Sequence, residues 1–319
     1  MRALLLIAFC LPGFARADSF QLAFPVDCTL GRDCFIQNYV DRDPGPGHQD
    51  AACGHLSYNG HTGTDIALYT EAEIARDVAV TAVAPGIVRG TRDGMPDILA
   101  SAPNAPDVTG RSCGNAVVID HGDGWQSTYC HLKRSSVSVR SGDVVDTGTR
   151  LGAIGLSGGT EFPHLHLGLR LNDQLVDPFR PTDIEGCGTI ETTLWADPLP
   201  YVPAGFLAAG TADDTPAFAE IEAGTADQPT QLRDAPALVF WAFHFGAKVG
   251  DQISFDIQGP RRSFLSHTIE VDRTQVRAFH AAGRRKRGPD WTPGLYTAAI
   301  KLIRDGRVID TIDADLRVE

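Results

Sequence analysis

A chain of 319 residues, 43% hydrophobic and 21% charged, has the composition of a folded globular protein and the length of two domains rather than one. Its formal charge of −12 excludes the electrostatic footprint of a nucleic-acid binder and argues against adhesion to anionic surfaces through bulk charge. The 33 glycines and 20 prolines, set between short apolar runs, point to β architecture with many turns.

Residues 1–17 read as an export signal. Met1-Arg2 gives a positive start, Ala3 to Pro12 is apolar but too short to span a bilayer, and Ala15-Arg16-Ala17 is a small-residue cleavage site before Asp18. Phe9 is too bulky for Cys10 to be a usual lipid-attachment site. Loss of Arg2 and Arg16 with the signal takes the charge to −14. No later stretch is long and apolar enough for a transmembrane helix, so no membrane span is expected. Of seven cysteines, six remain after the signal, and an even number in an exported chain reads as disulfides. Cys28 and Cys34 are placed to close a small loop; Cys113 and Cys130 flank a predicted hairpin; Cys53 and Cys187 would then pair by elimination. Only the first pair has local support, and the other pairings of six cysteines stay open.

Residues 18–54 are turn-rich, as in Asp41-Arg42-Asp43-Pro44-Gly45-Pro46-Gly47, and suggest a disulfide-stabilised arm lying against the next domain. In Gly60-His61-Thr62-Gly63-Thr64-Asp65, a strand would send His61 and Asp65 to one face, and Gly63 leaves room for an object close to the backbone. Val78 to Val83 and Ile87 to Gly90 read as short strands. Arg92 to Ser112 is a long Pro-, Asp- and Ala-rich insert, of a length that suggests the wall or flap of a cleft. Asn115 to Asp120 and Trp125 to Cys130 flank His121-Gly122-Asp123-Gly124, a hairpin that runs into His131. Val137 to Val139, Asp143 to Val145, Arg150 to Gly155 and Leu169 to Leu171 add further short strands around glycine turns. Between them, His164 and His166 alternate with Leu165 and Leu167, so both imidazoles leave one face of a strand, about 6–7 Å apart.

From 181 the composition shifts to Pro, Gly, Ala, Thr and acids, the mark of a linker. Strands then recur at sandwich-like spacing: Leu238 to Phe245, Gln252 to Gln258, Thr268 to Asp272, Gly294 to Ile303 and Arg307 to Ile312. No catalytic constellation is visible among them. His244, His267 and His280 read as structural or surface residues. Arg284-Arg285-Lys286-Arg287 reads as a solvated basic loop, with contact to an acidic polymer as the alternative.

Alone, His164-x-His166 is more simply a pair of structural strand histidines, and His61 and Asp65 a surface pair at a turn. With His131 they make five metal- or proton-handling residues on one predicted sheet. Exported zinc hydrolases use three ligands drawn from His, Asp and Glu, leave a position for water, and lower the pKa of that water from ~15.7 towards ~7.

Together these segments resemble the LytM/lysostaphin-type zinc endopeptidases that cut peptidoglycan peptides. The resemblance rests on His61-x-x-x-Asp65, the Gly114 to Gly122 hairpin, Tyr129-Cys130-His131-Leu132, the glycine-punctuated run from Val139 to Gly152, and Pro163-His164-Leu165-His166. It covers roughly residues 55–180. It implies Zn2+ on His61, Asp65 and His166, with His131 and His164 as the catalytic pair and Tyr58 as a candidate neighbour of the metal. The chain departs from many relatives at Phe162, before Pro163, and at Leu167-Gly168, positions that line or support the groove.

The resulting expectation is a mainly β chain. A signal peptide (1–17) and the arm (18–54) precede an antiparallel β-sheet zinc metallopeptidase domain with an open groove (55–185). Residues 186–235 are a linker and the start of a second domain, and 236–319 an immunoglobulin-like β-sandwich. The expected function is an exported, periplasmic or extracellular zinc metalloendopeptidase hydrolysing amide bonds in peptidoglycan peptides through a zinc-activated water. The alternative is a non-enzymatic cell-wall scaffold or activator of a wall amidase. The C-terminal β domain is the expected surface for any protein partner.

Overall fold

In the computed structural model, residues 20–182 and 185–319 are described. The export signal expected over residues 1–17 lies outside them. The N-terminal part is built on strands β1 (Phe35–Asn38), β2 (Thr64–Ala67), β3 (Ala79–Thr81), β4 (Gly86–Arg92), β5 (Asn115–Gly122), β6 (Trp125–Leu132), β7 (Val144–Val145), β8 (Arg150–Ala153), β9 (His164–Leu171) and β10 (Gln174–Leu175). The main sheet runs β1-β2-β9-β6-β5-β4-β7, with β10 on β9, and every pair in it is antiparallel. β3 and β8 pair separately.

The period-two pattern of β9 decides the two faces of its sheet. Leu165, Leu167 and Leu169 go inward and are 0–1% exposed, packed with Ile66, Val117, Ile119 and Tyr129. Each such leucine contributes about 1.5–3 kcal/mol by leaving water. A one-residue slip would expose all three, so packing locks the register that places His164 and His166 on the opposite face. Asp65 on β2 and Cys130 on β6 both lie opposite His166 on β9.

Three local expectations change. The segment carrying His61 is not extended: the strand begins at Thr64, and His61 sits in the preceding turn, its backbone N–H donating to Tyr58 O at 2.9 Å. Val137 to Val139 form no strand, although Ser138 N–H still bonds Leu151 O. The N-terminal arm is more than a cover, because β1 is the edge strand of the main sheet and pairs Phe35 with Ala67 and Asn38 with Asp65. Its polar turn is anchored by Arg42, which is 1% exposed. Its guanidinium meets the buried carboxylate of Asp177 at 3.1 Å and donates to Gly186 O. Three disulfides form: Cys28–Cys34, the pair with local support in the sequence, and Cys113–Cys130 and Cys53–Cys187, which the sequence leaves open among other pairings.

The C-terminal part has β11 (Gly205–Ala212), α1 (Phe218–Ala223), β12 (Thr230–Gln231), β13 (Ala237–Phe245), β14 (Gln252–Gln258), β15 (Ser263–Glu270), β16 (Arg277–Arg285), β17 (Gly294–Arg304) and β18 (Arg307–Val318). They form a three-stranded sheet, β11-β13-β16, and a five-stranded sheet, β12-β18-β17-β14-β15. Leu238, Phe240 and Ala242 of β13 face Ile253, Phe255, Ile300 and Leu316 of the second sheet. The alternate residues Trp241, Phe243 and Phe245 join the core of the N-terminal part. Both faces of β13 are therefore covered, which explains why Ala-Leu-Val-Phe-Trp-Ala-Phe-His-Phe is almost uninterruptedly apolar and buried throughout. No described helix is long and apolar enough to cross a membrane.

Candidate metal centre and catalytic groove

The structure brings His61, Asp65 and His166 together, with their ligand atoms within 4.8 Å of one another. His61 Nε2 lies 3.1 Å from Asp65 Oδ1 and 3.1 Å from His166 Nδ1, and His166 Nδ1 lies 2.9 Å from Asp65 Oδ1. Each ligand is aimed from behind. His61 Nδ1–H donates to Tyr39 O at 2.7 Å, which turns Nε2 towards the cluster. Asn38 Nδ2 donates to Asp65 Oδ2 at 3.0 Å, leaving Oδ1 to point inward. A Cβ on Gly63 would stand 2.6 Å from the His166 ring, so the object that this glycine admits is that imidazole.

Two nitrogens and one carboxylate oxygen are a zinc donor set, and a tetrahedral zinc with ligand bonds of ~2.0–2.1 Å separates its donors by about 3.3 Å. The observed spacings fit that requirement. Electrostatics agrees. Burial opposes the charge on Asp65, but the imidazoles of His164, His61 and His166 outweigh it and hold the carboxyl well below its usual range. Burial lowers His61, yet Asp65 outweighs that and raises it. Asp65 is a buried anion ringed by imidazoles, with no Lys or Arg against it among the described residues, an arrangement that could hold a cation.

His131 and His164 stand beside this cluster, their rings 4.6 Å apart. His164 Nε2 lies 3.5 Å from Asp65 Oδ1. His131 Nδ1 donates to Ser157 O at 2.8 Å, and His164 Nδ1 donates to Phe162 O at 2.9 Å. A carbonyl only accepts, so both Nδ1 atoms carry hydrogen and each neutral ring keeps a lone pair on Nε2. Burial pushes His131 down to about 3 and His164 down to about 4. His131 has φ +63, a left-handed conformation unusual for a non-glycine residue, held by its N–H to Cys113 O and its carbonyl to Gly155 N–H.

The cluster opens on a groove of about 310 Å³ lined by Tyr58, Thr62, Cys113, His131, His166 and Arg170, among others. The Tyr58 ring lies 4.5 Å from that of His61. The 92–112 insert meets the groove at Ser112: the Cys113–Cys130 disulfide fixes its end, and Ala100 N–H and the Ser101 hydroxyl bind Thr160 O and Glu161. Phe162 stacks on His164 at 4.2 Å and 22°, and carries the Arg277 guanidinium of β16 4.7 Å above its ring centroid.

Residues 59–178 match the family model for Peptidase family M23. Over this stretch the chain is similar to the M23 peptidases. The M23 match contains all five residues of the constellation. The cell division protein DipM of Caulobacter vibrioides is 39% identical over 70 residues, which is 22% of this chain and 11% of DipM. The DD-carboxypeptidase/endopeptidase Mpg of Neisseria meningitidis is 37% identical over 98 residues, 29% of this chain and 21% of Mpg. The chain thus spans about a tenth to a fifth of the length of these curated relatives. The catalytic domain of the prophage-encoded M23 protein EnpA from Enterococcus faecalis aligns with a TM-score of 0.32 at 24% identity, covering 47% of this chain and 92% of that one.

Asn38, Tyr39, Ser157 and Arg277 were not among the expected site residues. They act through backbone carbonyls, an amide or a ring stack, and sit in segments with no motif. Phe162 was visible only as a departure from the resembled pattern. Elsewhere, His244 and His280 form a pair: they stack at 5.1 Å with Nε2 and Nδ1 2.9 Å apart. Arg284 and Arg285 belong to β16 rather than to a loop.

Proposed function

We propose that this chain is an exported zinc metalloendopeptidase, periplasmic or extracellular, that hydrolyses amide bonds in peptidoglycan peptides. The observation that carries the reading is the convergence of His61 Nε2, Asp65 Oδ1 and His166 Nδ1 beside two neutral imidazoles on an open groove. In this reading His61, Asp65 and His166 hold Zn2+, which supplies a Lewis acid that activates water and polarises a carbonyl. His131 and His164 move the protons. Each presents an Nε2 lone pair that accepts a proton from the attacking water and returns it to the leaving amine. Once protonated, either imidazolium stabilises the negative charge developing on the carbonyl oxygen. Their buried positions keep competing water away and their Nδ1 bonds fix the rings, so little reorganisation is needed.

Arg170 at the groove supports a peptide substrate bearing carboxylates, which a guanidinium recognises with paired hydrogen bonds. The test is digestion of purified peptidoglycan by the metal-loaded chain, with chelated protein as control. Release of peptide fragments that stops on chelation and returns with zinc is expected. His166→Ala should lose both metal and activity, whereas His164→Ala should keep stoichiometric metal and lose about 100-fold or more in turnover. No fragment release by zinc-loaded protein would leave the scaffold or amidase-activator reading in its place.

A further inference from the structure

A second cleft, of about 440 Å³, lies in the C-terminal part, far from the peptidase groove. Arg261 and Arg262 from the β14–β15 turn, Arg284 near the end of β16, and the rings of Phe264, Trp291 and Tyr296 line it. The rings form a fixed floor. Phe264 meets Tyr296 edge-on at 5.2 Å and Trp291 at 5.9 Å, Trp291 Nε1–H donates to Ala235 O, and the Tyr296 hydroxyl donates to Thr292 O. The Arg284 guanidinium lies 5.3 Å above the Phe264 ring.

Among the described residues, Arg261, Arg262 and Arg284 have no carboxylate partner. The neighbouring cations do: Arg285 meets Asp214, and Lys286 meets Asp290, whose carboxylate also borders the cleft. A chain with 40 acidic and 28 basic residues has carboxylates to spare for pairing. Three exposed guanidinia sharing one aromatic-floored recess instead repel one another unless an anion joins them.

We propose that this cleft is a binding site for a carboxylate-bearing glycopeptide, distinct from the peptidase groove. The inference rests on the reading of the chain as a peptidoglycan hydrolase and adds a second contact for the same polymer. Guanidinium forks match carboxylates in a way that discriminates against neutral ligands, and aromatic faces hold the apolar side of a sugar or short peptide. A recess of this shape does not fit a planar membrane, and the overall charge opposes nucleic acid. β16 connects the two sites. Arg277 lies over Phe162 beside the groove, and Arg284 is seven residues along, roughly 23 Å at strand rise. Held at one end, a polymer strand has its next peptides at raised effective concentration at the other.

The test uses the full chain with zinc bound and His131→Ala to prevent turnover. A soluble disaccharide-peptide from purified peptidoglycan is titrated against it, followed by amide chemical shifts. The same fragment with its carboxylates amidated, inorganic phosphate, and vesicles rich in phosphatidylglycerol are parallel ligands. The expected result is shift changes at Phe264, Arg284 and Trp291, weakened about tenfold or more in Arg261→Ser/Arg262→Ser/Arg284→Gln and by amidation of the ligand. A control of equal charge change, Arg273→Gln/Arg285→Gln/Arg287→Gln, should bind as the parent does. With His131 restored, the cleft variant should digest soluble fragments normally but intact sacculi more slowly. Equal weakening in the control, no shifts at the cleft, or stronger response to phosphate or vesicles would overturn the proposal. Cleft binding without any cleavage by the parent enzyme would instead refute the hydrolase reading alone.

Discussion

At the scale of single residues, the candidate centre depends on what stands behind its ligands. His61 and Asp65 each spend one polar atom on a fixed partner, Tyr39 O and Asn38 Nδ2, and present the other inward. Partners of this kind set ligand orientation and basicity. Asn38→Ala is therefore expected to weaken zinc binding about 10- to 100-fold while leaving the fold intact, as read by competition with a chromophoric chelator. An unchanged affinity would mean that β1 does not orient the carboxylate. The five constellation residues were legible in the sequence because their types and spacing carry chemistry. Asn38 was not, because it reaches Asp65 only through strand pairing across 27 positions of chain. The approach of His61 was misjudged for a related reason: a turn and an extended strand can both bring residues four apart to one side, and only the backbone bond to Tyr58 distinguishes them here.

At the scale of elements, alternation identified β5, β6 and β9 because each has one core face, whereas β1 was hidden in a turn-rich segment. β13 was visible as an apolar strand, but nothing local to it revealed that its two faces serve two different cores. Where its buried face carries a histidine, stability should depend on pH. Burial, then His280, pushes His244 down to about 3, and burial also lowers His280, against the opposing pulls of Asp251 and Asp272 respectively. Both groups take protons near pH 6.5 once unfolded, so the unfolded state binds more protons as acidity rises. The contribution is full above about pH 6.5 and is lost as pH falls below it. By about pH 5 the loss from His244 should reach roughly 2 kcal/mol. Melting temperatures of the parent and His244→Gln measured over this range should converge on acidification. Parallel curves would show that the pair does not resist protonation.

At the scale of the molecule, the C-terminal part reaches into the candidate site. Arg277 pairs with Glu222 at 2.8 Å, donates to Glu161 O and covers the ring of Phe162, which in turn stacks on His164. The His164 imidazole, one of the two proposed proton carriers, is thereby braced by a strand more than a hundred residues later in sequence, a relation that no pattern within 55–185 discloses. Arg277→Met should lower kcat about tenfold with KM and zinc affinity nearly unchanged, because it frees a ring without touching a ligand or the groove. Arg277→Lys should recover part of the loss by restoring the cation over the ring. A change confined to KM would place Arg277 in substrate contact instead.

The proposed mechanism requires that His61, Asp65 and His166 form the metal centre while His131 and His164 attend it as bases. Anomalous diffraction at the zinc edge from crystals of the zinc-loaded chain tests this division of roles without recourse to activity. One strong peak is expected, bonded to His61 Nε2, Asp65 Oδ1 and His166 Nδ1, with the Nδ1 atoms of His131 and His164 still on their carbonyls. A peak ligated by His164 or His131 in place of His166, or no peak at the cluster, would refute it.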